Sequence, residues 1–98
     1  MLNYRYGTFN MEGGSISNNT NTENSISYSA ISIASGEFNL SGGLIENNIG
    51  GQIVSIGGGS FNMMGGTISN NTASVGVLRI FENGNFAMSD GVISDNFK

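Results

Sequence analysis

The chain has 98 residues, enough for one small domain, with net charge −4, only 10% charged residues, and no Cys, His, Pro or Trp. Those absences exclude disulfides, a thiolate nucleophile, a Ser-His-Asp triad and the usual zinc ligand sets. With Arg5, Arg79 and Lys98 the only bases, nucleic acid and anionic membranes are poor partners, and no apolar run approaches the roughly 20 residues of a membrane span.

Sixteen Gly among abundant Asn and Ser would suit a disordered chain. The apolar residues recur in register, however, and four segments align without a gap. They are GTFNMEGGSISNN from Gly7, GEFNLSGGLIENN from Gly36, GSFNMMGGTISNN from Gly59 and GNFAMSDGVISDN from Gly84. The starts are 29, 23 and 25 residues apart. Constant motifs with variable spacing between them are the behaviour of a repeat with one adjustable loop. Residues 1–98 therefore form a single domain of stacked repeats.

In chain order, an apolar pair at Leu2 and Tyr4 comes first and reads as a short strand. Within the first repeat Phe9 and Met11 alternate with polar residues, as a strand with one buried face requires. Gly13-Gly14 follows and marks a bend. Ser15-Ile16-Ser17 reads as a second strand with Ile16 inside. Asn19 then suits a corner, because Asn tolerates the left-handed conformation and bonds its own backbone.

The later repeats follow the same plan. Ile31 and Ile33 form the third-strand pair before Phe38, Leu40, the bend at Gly42-Gly43, Ile45 and Asn48. Val54 and Ile56 precede Phe61, Met63, Gly65-Gly66, Ile68 and Asn71. Leu78 and Ile80 precede Phe86, Met88, Asp90-Gly91, Ile93 and Asn96. The Leu78–Ile80 pair sits one residue further from its Gly than its equivalents, which predicts a bulge or a longer turn there.

The fold class is thus all-β: a β-solenoid of about four coils with three short strands per coil. Neighbouring coils lie about 4.8 Å apart. Equivalent side chains then stack, and Asn19, Asn48, Asn71 and Asn96 form an inward ladder whose amides pass hydrogen bonds between coils. Low charge fits this plan, since a repeated charge would face itself at every layer.

The polar outward positions of the first strand are the candidate binding face: Thr8, Asn10, Glu37, Asn39, Ser60, Asn62 and Asn85. A flat array of this kind suits glycan hydroxyls or another polar surface. Tyr6, Tyr28 and Phe81 are the available aromatic platforms for sugar stacking. The regular Thr pairs of an ice-binding face are missing.

Catalytic chemistry has little to stand on. The acids Glu12, Glu23, Glu37, Glu46, Glu82, Asp90 and Asp95 share no ladder position, so scattered solvated charge outweighs a carboxylate cluster. Gly57-Gly58-Gly59 lacks the Lys and helix of a phosphate loop. No Asp recurs as calcium-binding repeats need. The sequons Asn18-Asn19-Thr20 and Asn70-Asn71-Thr72 read as corners rather than glycosylation sites. No catalytic residue, cofactor or metal is expected.

The motif G-x-F-x-[M/L]-x-[G/D]-G-x-I-x-x-N resembles the parallel β-helix repeats of the pectate-lyase-like superfamily. It is most similar to non-enzymatic bacterial surface repeats, including those of chlamydial polymorphic outer-membrane proteins. The resemblance runs from Leu2 to Asn96. It implies a right-handed coil and an extracellular or cell-surface location, although the chain opens without a signal peptide.

Three functions are carried forward. The first is a structural rod segment, or a subunit that associates head to tail through uncapped ends. The second is an adhesin-type module that binds a glycan or surface. The third is the remnant of a polysaccharide lyase. Whether the chain is a piece of a longer protein or a complete subunit stays open.

Overall fold

Equivalent residues of successive repeats lie side by side in parallel strands. The computed structural model describes residues 2–4, 7–20 and 29–97. Among them there are ten strands and no helix: β1 (Leu2–Tyr4), β2 (Thr8–Met11), β3 (Ser15–Ser17), β4 (Ser29–Ala34), β5 (Glu37–Leu40), β6 (Leu44–Glu46), β7 (Ile49–Gly57), β8 (Ser60–Ser69), β9 (Thr72–Phe81) and β10 (Asn85–Ser94). One sheet runs β1-β4-β7-β9, and a second runs β2-β5-β8-β6-β3 with β10 beside β8. Every pairing between named strands is parallel.

The registers follow the alternation of the sequence. Leu2 pairs with Ile31, Ile31 with Val54 and Val54 with Leu78. Phe9 pairs with Phe38, Phe38 with Phe61 and Phe61 with Phe86. A one-residue slip would turn every buried side chain outward, so the pattern determines the pairing. Phe38, Leu40, Ile45, Phe61, Met63 and Ile68 of the second sheet are completely buried and form one core with Ile31, Ile33, Val54 and Ile56 of the first. The Phe rings form a column with centroids 5.4, 4.8 and 5.1 Å apart, the first two pairs stacked and Phe61–Phe86 tilted by 44°. Such contacts add about 0.5–1.5 kcal/mol each beyond area burial.

Three strands per repeat holds only for the first two repeats. In the third, β8 continues through Gly65-Gly66, and in the fourth β10 continues through Asp90-Gly91. The bends remain, with φ of 79° at Gly66 and 100° at Gly91. Pairing between β8 and β10 carries on around them, so the first and second segments merge.

The paired glycines have a steric cause. A Cβ on Gly42 would lie 2.4 Å from the Glu12 carbonyl oxygen, and one on Gly65 would lie 2.3 Å from that of Ser41. Each repeat thus presses its bend onto the main chain of the one before. Asp90 occupies this position in the last repeat and carries a Cβ. The register of β10 on β8 shifts on both sides of it, between Met88 and Asp90 and again before Val92. The two shifts cancel, so Val92, Ile93 and Ser94 pair with Thr67, Ile68 and Ser69 as in the other repeats.

Length variation is also accounted for. Gly59 to Gly84 is two residues longer than Gly36 to Gly59. One extra residue is a bulge in β9, where Gly50 pairs with Ala73 but Gln52 with Gly76. The other lies in the turn after Phe81, where Glu82 and Asn83 both have positive φ while Gly58 alone serves in the preceding repeat. This is the longer turn expected near Gly84. The first repeat's six additional residues fall between Thr20 and Ser29, because Ser29 pairs with Gln52 and Thr20 bridges Ile49.

Candidate functional site

Corner geometry comes first, because it places both columns of Asn. The expectation that Asn19, Asn48, Asn71 and Asn96 are the left-handed residues is corrected. Positive φ belongs to the residue before each: Asn18 at 60°, Asn47 at 58°, Asn70 at 56° and Asp95 at 55°. These turn the chain and are exposed. The second Asn of each pair keeps ordinary backbone geometry and sends its side chain inward.

That inward side chain builds the expected ladder. Asn19 Nδ2 donates to Asn48 Oδ1 at 2.9 Å, Asn48 Nδ2 to Asn71 Oδ1 at 3.0 Å, and Asn71 Nδ2 to Asn96 Oδ1 at 2.9 Å. The main-chain N–H of each donor residue gives a second bond to the same oxygen, at 3.1, 3.0 and 3.1 Å. The other amide hydrogen of Asn48, Asn71 and Asn96 goes to the carbonyls of Ile16, Ile45 and Ile68. Those main-chain bonds determine which way each amide points. Asn48 and Asn71 are completely buried, and no buried side-chain N or O among the described residues lacks a partner. Asn48 and Asn71 at the centre of the column are sealed from any ligand, while Asn19 and Asn96 at its ends are half-buried.

The candidate binding face comes together in two outward columns. Thr8, Glu37, Ser60 and Asn85 pair in sequence along one. Asn10, Asn39 and Asn62 pair along the other, which ends at Ala87. Glu37, Asn39, Ser60 and Asn62 are half-buried, and Thr8, Asn10 and Asn85 are exposed. The Asn side chains bond one another: Asn39 Nδ2 donates to Asn10 Oδ1 at 2.9 Å, and Asn62 Nδ2 to Asn39 Oδ1 at 2.8 Å. Asn62 Nδ2 also donates to Glu37 Oε1 at 3.1 Å. Donation runs from the third repeat back to the first, opposite in sense to the inner ladder.

The aromatic platforms fare differently from one another. Tyr6 and Tyr28 lie outside the described residues. The Phe81 ring is already engaged: it covers Gly57, where a Cβ would lie 2.8 Å from its Cζ, and the Arg79 guanidinium sits 4.3 Å from its centroid. Among the described residues no group of three or more acids gathers as a metal site would need. Glu23, Arg5 and Lys98 lie outside those residues.

Sequence reasoning missed one buried polar contact. Ser29 Oγ donates to Gln52 Oε1 at 3.1 Å, and both residues are buried. Their shared place, two residues before Ile31 and Val54, was a usable signal, because alternation puts them on the inward face. The exposed apolar residues Leu44 and Val92 also share a column, through Thr67.

No protein family, curated protein or solved structure matches this chain.

Proposed function

We propose that the chain is a non-enzymatic structural β-solenoid segment, a right-handed parallel β-helix of four coils from a surface or secreted protein. The single observation that carries the reading is the continuity of its columns. Phe, Ile and Asn of all four repeats stack in one register, with a bonded Asn at every layer. Such a structure spends its sequence on repeat-to-repeat contacts, and the residues left outward are mostly small and polar. Its handedness and its location rest on the resemblance to bacterial surface repeats.

An adhesin-type role on the Asn10–Asn39–Asn62 face draws less support, because those amides already bond one another. A lyase remnant draws none from the scattered acids.

Two measurements test the reading. Spin labels placed on outward first-strand positions of adjacent repeats, Thr8→Cys with Glu37→Cys, should report a shorter separation than Thr8→Cys with Ser60→Cys. These positions pair directly, Thr8 with Glu37 and Glu37 with Ser60. Equal separations would overturn the stacked-coil reading. Cleavage of polygalacturonate, or glycan binding that disappears in Asn39→Ala with Asn62→Ala, would overturn the structural assignment.

A further inference from the structure

The sequence contains one Asn-Gly step, Asn83-Gly84, and one Asp-Gly step, Asp90-Gly91. A glycine amide has no side chain to shield it, so at such a step the nitrogen has open access to the γ-carbon of the residue before it. The fold treats the two steps differently. At the first, the Gly84 N–H donates to the Phe81 carbonyl at 3.0 Å and is held inside the turn. At the second, the Gly91 N–H donates to Asp90 Oδ1 at 2.8 Å. There the carboxyl group is folded back onto the peptide nitrogen that follows it.

The bend between repeats explains this contact. Gly42 and Gly65, the equivalents of Asp90, rest against a carbonyl of the preceding repeat, which a Cβ would meet at 2.4 and 2.3 Å. Asp90 carries a Cβ, and the register of β10 on β8 shifts on both sides of it. Gly91 has no such latitude. Its φ is 100°, and a Cβ there would lie 2.8 Å from the Gly65 carbonyl oxygen and 2.9 Å from Met63 Cε. The fold therefore demands glycine directly after Asp90, and the carboxyl group lies against that glycine's nitrogen.

We propose that Asp90 is a site of spontaneous isomerisation to isoaspartate. The Gly91 nitrogen bonds to Cγ of the protonated Asp90 carboxyl group. The carboxyl hydroxyl leaves with the amide proton as water, which closes a five-membered succinimide. Water then opens the ring. Attack at Cγ restores aspartate, and attack at the Asp90 main-chain carbonyl leaves Gly91 joined through Cγ, which is isoaspartate. One water is released and one is taken up, so no other reactant is consumed and the mass is unchanged. The preset contact replaces the search that an unfolded chain must make to bring the two atoms together. Isoaspartate adds one carbon to the main chain between two register shifts that cancel. Val92, Ile93 and Ser94 then lose their alignment with Thr67, Ile68 and Ser69.

The test is prolonged incubation of the full chain, folded in buffer and unfolded in urea, followed by peptide mapping with fragmentation that separates isoaspartate from aspartate. Isoaspartate at position 90 should form at least as fast in the folded chain as in the unfolded one. Deamidation of Asn83, read as a gain in mass, should be slower in the folded chain. Asp90→Glu keeps the charge but would have to close a six-membered ring. It should remove most of the isoaspartate that the folded chain forms, measured as total isoaspartyl content by enzymatic methyl transfer. The proposal is overturned if the folded chain forms no isoaspartate at position 90, if folding slows Asp90 as much as it slows Asn83, or if Asp90→Glu leaves the isoaspartyl content unchanged.

Discussion

The inner and outer Asn columns use the same side chain, the same layer spacing and hydrogen bonds of nearly the same length. The inner links are 2.9–3.0 Å and the outer ones 2.8–2.9 Å. Their surroundings differ. Asn48 and Asn71 are completely buried and tied to the main chain at Ile16 and Ile45, while Asn10 is exposed and Asn39 and Asn62 are half-buried. A broken inner link leaves donors in the core with nothing to bond. A broken outer link hands its donors to water. Bond geometry therefore says little about what each ladder contributes, and access to solvent decides it.

The sharpest way to break this comparison is Asn48→Asp. A carboxylate there still accepts from Asn19 but faces Asn71 Oδ1 with no hydrogen to give. Burial raises its folded pKa above the unfolded value, so protonation favours the folded state. The variant should lose several kcal/mol at neutral pH and regain part of that as pH falls through the carboxylate range. Urea unfolding at pH 7 and at pH 4 measures both, and a pH-independent loss would contradict the sealed column.

Asn71→Leu comes next. It keeps the branched shape with a bulkier end but strips partners from Asn48 N–H and Nδ2 and from the Ile45 carbonyl. A loss of about 3 kcal/mol or more is expected by the same urea titration. A value near that of an outer variant would remove the distinction between the columns.

Asn62→Ala deletes one outer link and the bond to Glu37. Its expected cost is about 0.5–1 kcal/mol, read from the shift in urea midpoint at constant slope. The smallest effect has the opposite sign. Ala87 pairs with Asn62 and interrupts the outer column, so Ala87→Asn should extend it and raise stability by about 0.5 kcal/mol. No gain in differential scanning calorimetry would mean that the column cannot be prolonged past the register shift at Asp90.

Much of this arrangement was legible in the sequence. The gapless motif placed the paired strands, the Phe column and the inward Asn at each layer, because period-two alternation leaves one register that buries Phe38, Leu40, Phe61 and Met63 together. Other features were not readable, for physical reasons. In Asn18-Asn19, Asn47-Asn48 and Asn70-Asn71 both residues tolerate the left-handed region, so residue type cannot say which one turns the chain. Only the inward projection of the second does. The merging of strands in β8 and β10 depends on pairing around a bend, which no local pattern encodes. Asp90 for Gly signalled a departure, but its paired, cancelling register shifts follow from a carbonyl contributed by another repeat. On the candidate face, the sequence placed Asn10, Asn39 and Asn62 together without revealing that they bond mainly to one another.

The opposed directions of the two Asn columns have an electrical consequence. In every Asn-to-Asn link of the inner column the donated amide hydrogen points toward the last repeat, and in every such link of the outer column it points toward the first. Their dipoles subtract along the stacking axis. A single column would acquire a larger end-to-end polarity with each added layer, as a long helix does. Two antiparallel columns let layers accumulate with little side-chain polarity building up at either tip.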